Sequence, residues 1–253
     1  GVARALAGAR GSAAGRAVGG VAAWARRGVA HGGRGPRRGA GALRPAGRSL
    51  GADGRGRRRV RRRTRGGRRR VSRAHDLIVG SRDASKAAAS ATAYTETLAS
   101  IGVDRTVVGM ENTAAAARAE IAVLAVPPYH VGDTVESVAD ALDPGDIVIS
   151  PATGMKRDED GVHYHQPSAG SVTQIAAGAV PDGVPVVGAF HSLAAGRLAD
   201  LDAELGIDTL VVGDDESAKR TVAELAEEID GLRALDAGGL ANATEIEGLT
   251  PLM

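Results

Sequence analysis

The chain has no cysteine in its 253 residues, which excludes disulfides, thiolate metal sites and a cysteine nucleophile and suits a reducing cytoplasm. Aromatic residues are almost as scarce, with one Trp, three Tyr and one Phe, so there is little on which to stack nucleic-acid bases. No apolar run approaches the roughly 18 residues that a membrane-spanning helix needs. The apolar core of a secretory signal is likewise missing near the start. Lysine is confined to Lys86, Lys156 and Lys219. Acids are nearly absent from the first part of the chain, where Asp53 stands alone before residue 75.

That last absence exposes a break in composition near residue 74. Residues 1–74 carry 22 of the 32 basic residues, all Arg, against one acid; residues 75–253 carry the remaining 10 against 29 acids. The net charge of +2 is therefore a cancellation of 22 − 1 = +21 and 10 − 29 = −19. The first segment uses a narrow, Gly- and Arg-rich residue set with almost no apolar periodicity, so it is expected to form a disordered basic leader. Its Arg runs, Arg57-Arg58-Arg59 and Arg61 to Arg70, suit a nucleic-acid arm. The residue set matches out-of-frame reading of a GC-rich gene more closely, because GC-rich codons specify mainly Gly, Ala, Arg and Pro. The acidic second segment, poor in Lys, suits a salt-rich cytoplasm where counterions relieve its self-repulsion.

From His75 onward, short apolar runs alternate with helical patterns. Leu77-Ile78-Val79, Val107-Val108-Gly109, Ile121 to Pro127 and Ile147 to Pro151 read as buried strands. Between them, Ser85 to Ser100, Thr113 to Arg118 and Asp133 to Leu142 read as helices. Val184 to Phe190 and Thr209 to Gly213 continue the strands. Leu198, Leu201 and Leu205 define one helical face, and Asp214 or Asp215 caps a helix up to Ile229. The alternation implies an α/β, Rossmann-like, doubly wound parallel sheet forming one domain over residues 75–253. Its first strand and Gly-rich turn are expected to be missing, since Gly51 to Gly56 follows no apolar strand.

The strand ending Val79-Gly80-Ser81-Arg82 carries a chemical clue. In such a sheet the second strand ends beside the adenosine ribose, where an acid selects NAD. Here a hydroxyl and a guanidinium stand at that tip, and Lys86 follows one helical turn later. A hydroxyl and two cations suit a phosphate dianion, which points to the 2′-phosphate of NADP.

Gly80-Ser81-Arg82 with Lys86, Val108 to Asn112, Ala122 to Pro127 and Ile149-Ser150-Pro151 resemble the NADPH-dependent reductases of coenzyme F420, a 5-deazaflavin hydride carrier. Ala189-Phe190-His191-Ser192, Val212 to Asp215, Ile229 to Arg233 and Leu235 to Gly238 extend the resemblance. It implies hydride transfer between NADP and coenzyme F420, both bound as small-molecule substrates, by a cytoplasmic enzyme compatible with a homodimer. Family members begin with a strand and a Gly-Gly-Thr-Gly turn and continue beyond a Leu-Thr-Pro-Leu like Leu249 to Leu252. This chain departs from that pattern at both ends, so it is expected to bind NADP poorly or not at all and to turn over the deazaflavin negligibly.

Hydride transfer between two such carriers requires aligned rings and a dry cleft, but no side-chain base. Cofactor contacts are expected from Ser81, Arg82, Lys86, Ala125, Pro127, His130, Thr153, His191 and Ala195, with Gly154 beside them; no catalytic residue and no metal ligand is assigned. His163 and His165 lie in a polar, loop-like stretch from Met155 to Pro167 that lacks a third ligand. Two other functions remain open. One is a different NADP-dependent reductase, acting on an imine or keto acid, with His130 or His191 as proton donor. The other is a non-catalytic protein with a basic nucleic-acid-binding arm.

Overall fold

A computed structural model describes residues 75–199 and 204–252, together with the backbone of residues 22–27. These residues belong to one compact unit of the chain. The expected leader otherwise lies outside the described residues, as does Leu201.

In chain order, β1 (Ala22–Arg27) and β2 (His75–Ser81) lead into α1 (Ala84–Ser100), β3 (Val108–Glu111), α2 (Asn112–Ala116) and β4 (Ile121–Val123). There follow α3 (Val131–Glu136), β5 (Ile147–Ser150), a hairpin of β6 (Met155–Asp158) and β7 (Gly161–Tyr164), α4 (Val172–Ala179) and β8 (Val186–Gly188). The last part comprises α5 (Ala195–Ala199), β9 (Ile207–Val211), α6 (Glu216–Glu227), β10 (Leu232–Asp236) and α7 (Ala243–Leu249).

The main sheet has the order β3-β2-β1-β4-β5-β8. Adjacent pairs β2–β3, β4–β5 and β5–β8 are parallel. A parallel pair, β9–β10, connects to it through an antiparallel bridge between Gly188 and Val212. This is the expected α/β sheet, reaching its ligand edge wherever the parallel strands end.

The sheet explains the continuous apolar runs. Successive residues of a strand face opposite sides, so a strand covered on both sides needs apolar residues throughout. Ile121, Val123, Ile147 and Ile149 join one core with Val222, Leu225 and Ala226 of α6. Ala122 and Val148 of the same strands join a second core with Val131, Val135 and Val172.

Three expectations are corrected. The slot of the first strand is filled, because residues 22–27 of the expected leader form β1 between β2 and β4. It runs antiparallel to both, with Trp24 opposite Ile78 and Ala122. The physical reason is pairing: two buried neighbours present ladder N–H and C=O groups to the gap, and a six-residue strand satisfies both rows. Secondly, the stretch expected to be a loop from Met155 onward contains the β6–β7 hairpin. Thirdly, the helix expected over Asp133 to Leu142 breaks into α3 and a 3-10 turn at Ala139–Ala141.

Candidate functional site

Two polar clusters stand where the parallel strands end. The first closes β2. Ser81 is buried, and its Oγ accepts from the Asp83 N–H at 3.3 Å, leaving its own hydroxyl proton free to donate. Asp83 is the N-cap of α1: its carboxylate accepts from the Ser85 hydroxyl at 2.6 Å and from the Ser85 and Lys86 N–H groups at 2.9 and 3.3 Å. Those bonds, the Ser85 hydroxyl first, hold its carboxyl below the usual range. The acid at this tip is thus committed to its own helix, whereas Arg82 and Lys86 are exposed. An acid turned toward the ribose would favour NAD; an engaged acid beside two cations and a hydroxyl donor suits a phosphate.

The second cluster joins the ends of β5 and β8 to α4 and α7. Glu247 is fully buried, and its carboxylate accepts from the Val172 and Thr173 N–H groups at 3.0 and 2.9 Å and from the Thr173 hydroxyl at 2.9 Å. The Gly154 N–H adds a fourth donor. Burial pushes the Glu247 carboxyl up, and these donors oppose that rise. The Thr173 hydroxyl also lies 3.3 Å from His191 Nε2. Thr250 links the hydroxyl of Thr153 at 3.3 Å to the His191 carbonyl at 3.5 Å.

His191 is delivered by a strained corner. Phe190 precedes it with φ of 68°, a left-handed conformation that costs a bulky residue about 1–3 kcal/mol. The Phe190 N–H, bonded to the Thr209 hydroxyl at 3.0 Å, helps to hold that corner. Burial lowers the pKa of His191 to about 4, although Glu247 Oε1 stands 3.9 Å from its Nε2. Desolvation outweighs that attraction, so the ring is neutral at pH 7.

Among the described residues, four buried side-chain atoms lack a hydrogen-bond partner: His75 Nδ1, Asn112 Oδ1, Ser150 Oγ and His191 Nδ1. Three of them, all except His75, sit where β3, β5 and β8 end. Unpaired buried polar atoms are costly and scarce in folded proteins, so three along one sheet edge point to a polar ligand there. The chemistry of that edge fits a dinucleotide with a phosphorylated ribose.

Residues 59–154 match the family model described as NADP oxidoreductase coenzyme F420-dependent. The F420-dependent NADP reductase of Methanocaldococcus jannaschii is 32% identical over 186 residues, covering 73% of this chain and 82% of that relative. The reductase of the same name from Methanothermobacter marburgensis is 37% identical over 181 residues, covering 70% of this chain and 80% of its own length. The chain belongs to the F420-dependent NADP reductase family.

Two solved structures add the fold. A hypothetical protein from Sinorhizobium meliloti matches with 28% identity and a TM-score of 0.52, over 67% of this chain and 77% of its own. The Arthrobacter sp. FB24 protein that bears the F420-dependent NADP-reductase name matches at 20% identity and a TM-score of 0.56, over 69% and 79%. Within the reductase fold, the residues expected to contact cofactors all follow parallel strands. Ser81, Arg82 and Lys86 gather at the end of β2; Ala125, Pro127 and His130 follow β4; Thr153 follows β5; His191 and Ala195 follow β8.

Thr153 and His191 are brought together through Thr250. The His130 ring packs instead on Tyr129, with centroids 4.5 Å apart. Asp83, Asn112, Ser150, Thr173, Glu247 and Thr250 were not among the site residues expected from the sequence. For Glu247 a signal existed: it shares a helical face with Ala243 and Ile246, which makes it an acid on an otherwise apolar stripe.

Proposed function

We infer that the domain over residues 75–253, completed by β1, transfers a hydride between NADP(H) and coenzyme F420. The observation that carries this is the end of β2, where Asp83 is held by its helix and Ser81, Arg82 and Lys86 remain for a 2′-phosphate. The two carriers supply the redox chemistry, exchanging hydride between C4 of the nicotinamide and C5 of the deazaflavin. The protein's part is to hold the adenosine end at β2, offer small residues such as Ala125 and Pro127 for close approach, and exclude water. His130 and Ala195 belong to the same reading as contacts along that edge.

A cytoplasmic, salt-rich setting goes with the acidic excess, and among the described residues no helix is long and apolar enough to cross a membrane. Leu249 and Leu252, 46% and 81% exposed, offer apolar area to a second copy.

The test is a binding titration with NADPH and NADH. NADPH is expected to bind more tightly, and Arg82→Ala to weaken NADPH by about ten- to a hundredfold, since a charge-assisted bond contributes roughly 1.5–3 kcal/mol. Equal weakening of NADPH and NADH would remove the 2′-phosphate assignment.

A further inference from the structure

The mechanism leaves one buried set of groups unused, namely Glu247, Thr173 and the His191 ring. Their hydrogen bonds have a definite direction. A carboxylate accepts and cannot donate, so the Thr173 hydroxyl, 2.9 Å from Glu247 Oε1, spends its single proton there. At its contact with His191 Nε2, 3.3 Å away, the same oxygen is then the acceptor. Nε2 must therefore carry the ring proton. In a neutral imidazole the other nitrogen is a bare acceptor, and Nδ1 is the atom left buried with no protein partner.

We propose that Glu247 is a positioning residue that acts through Thr173 to fix His191 as the Nε2–H tautomer, so that Nδ1 accepts an amide-type N–H from a ligand at the end of β8. The ligand chemistry follows from what a lone ring acceptor recognises: a donor with no charge of its own. Both expected ligands carry one, the carboxamide of the nicotinamide and the ring imide of the deazaflavin, and this half of the proposal rests on the function inferred above. Several features hold the relay in place. Glu247 is fixed by backbone donors from the first turn of α4 and from Gly154. The corner at Phe190 sets the backbone of His191. Gly188 leaves the ring its space, since a Cβ there would lie 3.0 Å from His191 Cε1.

The test is nitrogen NMR on the full chain with ¹⁵N-labelled histidine, the His191 signals being those that vanish in His191→Gln. Without ligand at pH 7, Nε2 is expected to show the protonated shift and Nδ1 the unprotonated one. Thr173→Val should average the two shifts as the tautomers interconvert, Thr173→Ser should restore the wild-type pattern, and Glu247→Gln should reproduce the Val result in part. Adding NADPH alone and oxidised deazaflavin alone then tells which one donates, by an upfield move of Nδ1 with that ligand. A protonated Nδ1 in the wild type, or a Thr173→Val spectrum like wild type, overturns the relay; an unchanged Glu247→Gln spectrum removes Glu247 from it. If both ligands bind and neither moves Nδ1, the acceptor role falls. The ligand-free spectra do not depend on the reductase reading, so the two can fail separately.

Discussion

His191 is where one residue's environment has a measurable consequence for stability. Its pKa falls from 6.5 to about 4 on burial. Between those values the unfolded chain takes up a proton that the folded chain refuses, so stability rises with pH across that window and is lost as pH falls through it. One group shifted this far contributes about 3 kcal/mol over the whole window. Urea melts at pH 5 and pH 7 should show a smaller difference for His191→Gln than for the wild type; identical acid sensitivity would mean that the ring is protonated in the folded protein. At this scale the sequence exposed only part of the site. Ser81, Arg82 and Lys86 were legible because they are local to one strand end. Thr173 and Glu247, 74 positions apart, meet only when α7 packs over α4, and no local pattern records that.

Helices and strands with strong patterns were readable as elements. Of the two candidate caps, Asp214 and Asp215, it is Asp215 that caps α6, accepting from the Ala218 N–H at 2.7 Å. The β6–β7 hairpin was not readable, since all four residues of β6 are exposed and none of β7 is buried, leaving no alternation to mark it. Its turn still had a local cue in Asp160-Gly161, with Gly161 at φ of 130°, a conformation few other residues adopt. Close packing makes a sharper prediction at Gly188 in β8. A Cβ there would lie 2.8 Å from Val212 Cγ1 and 3.1 Å from Thr173 Cγ2, so Gly188→Ala must displace β9 or the His191 cluster. The expected cost is about 1–3 kcal/mol, read as a lower denaturation midpoint with an unchanged slope. A midpoint equal to the wild type would show that this junction has slack.

On the scale of the whole molecule, a parallel α/β sheet was legible from the alternation of runs, but the identity and direction of its central strand were not. β1 comes from a Gly- and Arg-rich region without strand periodicity, and its place is set by the two rows of backbone groups it pairs with. Ala25 stands opposite Leu77 on one side and Ile121 on the other. Ala25→Pro removes a ladder donor in the middle of the sheet and should lower stability by about 1–3 kcal/mol or more; unchanged melting would exclude β1 from the sheet.

The direction of β1 also bears on ligand binding. In a dinucleotide fold the pyrophosphate sits where the first parallel strand ends, whereas β1 runs antiparallel to β2 and β4 and its own C-terminal end lies at the opposite edge. NADP affinity and steady-state turnover are accordingly expected to be low, with binding directed by the ribose end. The central claim is direct hydride transfer, and it is tested by single turnover with protein in excess. The reactants are NADPH carrying deuterium at both C4 positions and oxidised deazaflavin, with the product read by mass spectrometry. The account predicts that the reduced deazaflavin carries one deuterium at C5. Product bearing only solvent hydrogen, or no reduction at saturating NADPH, would contradict it.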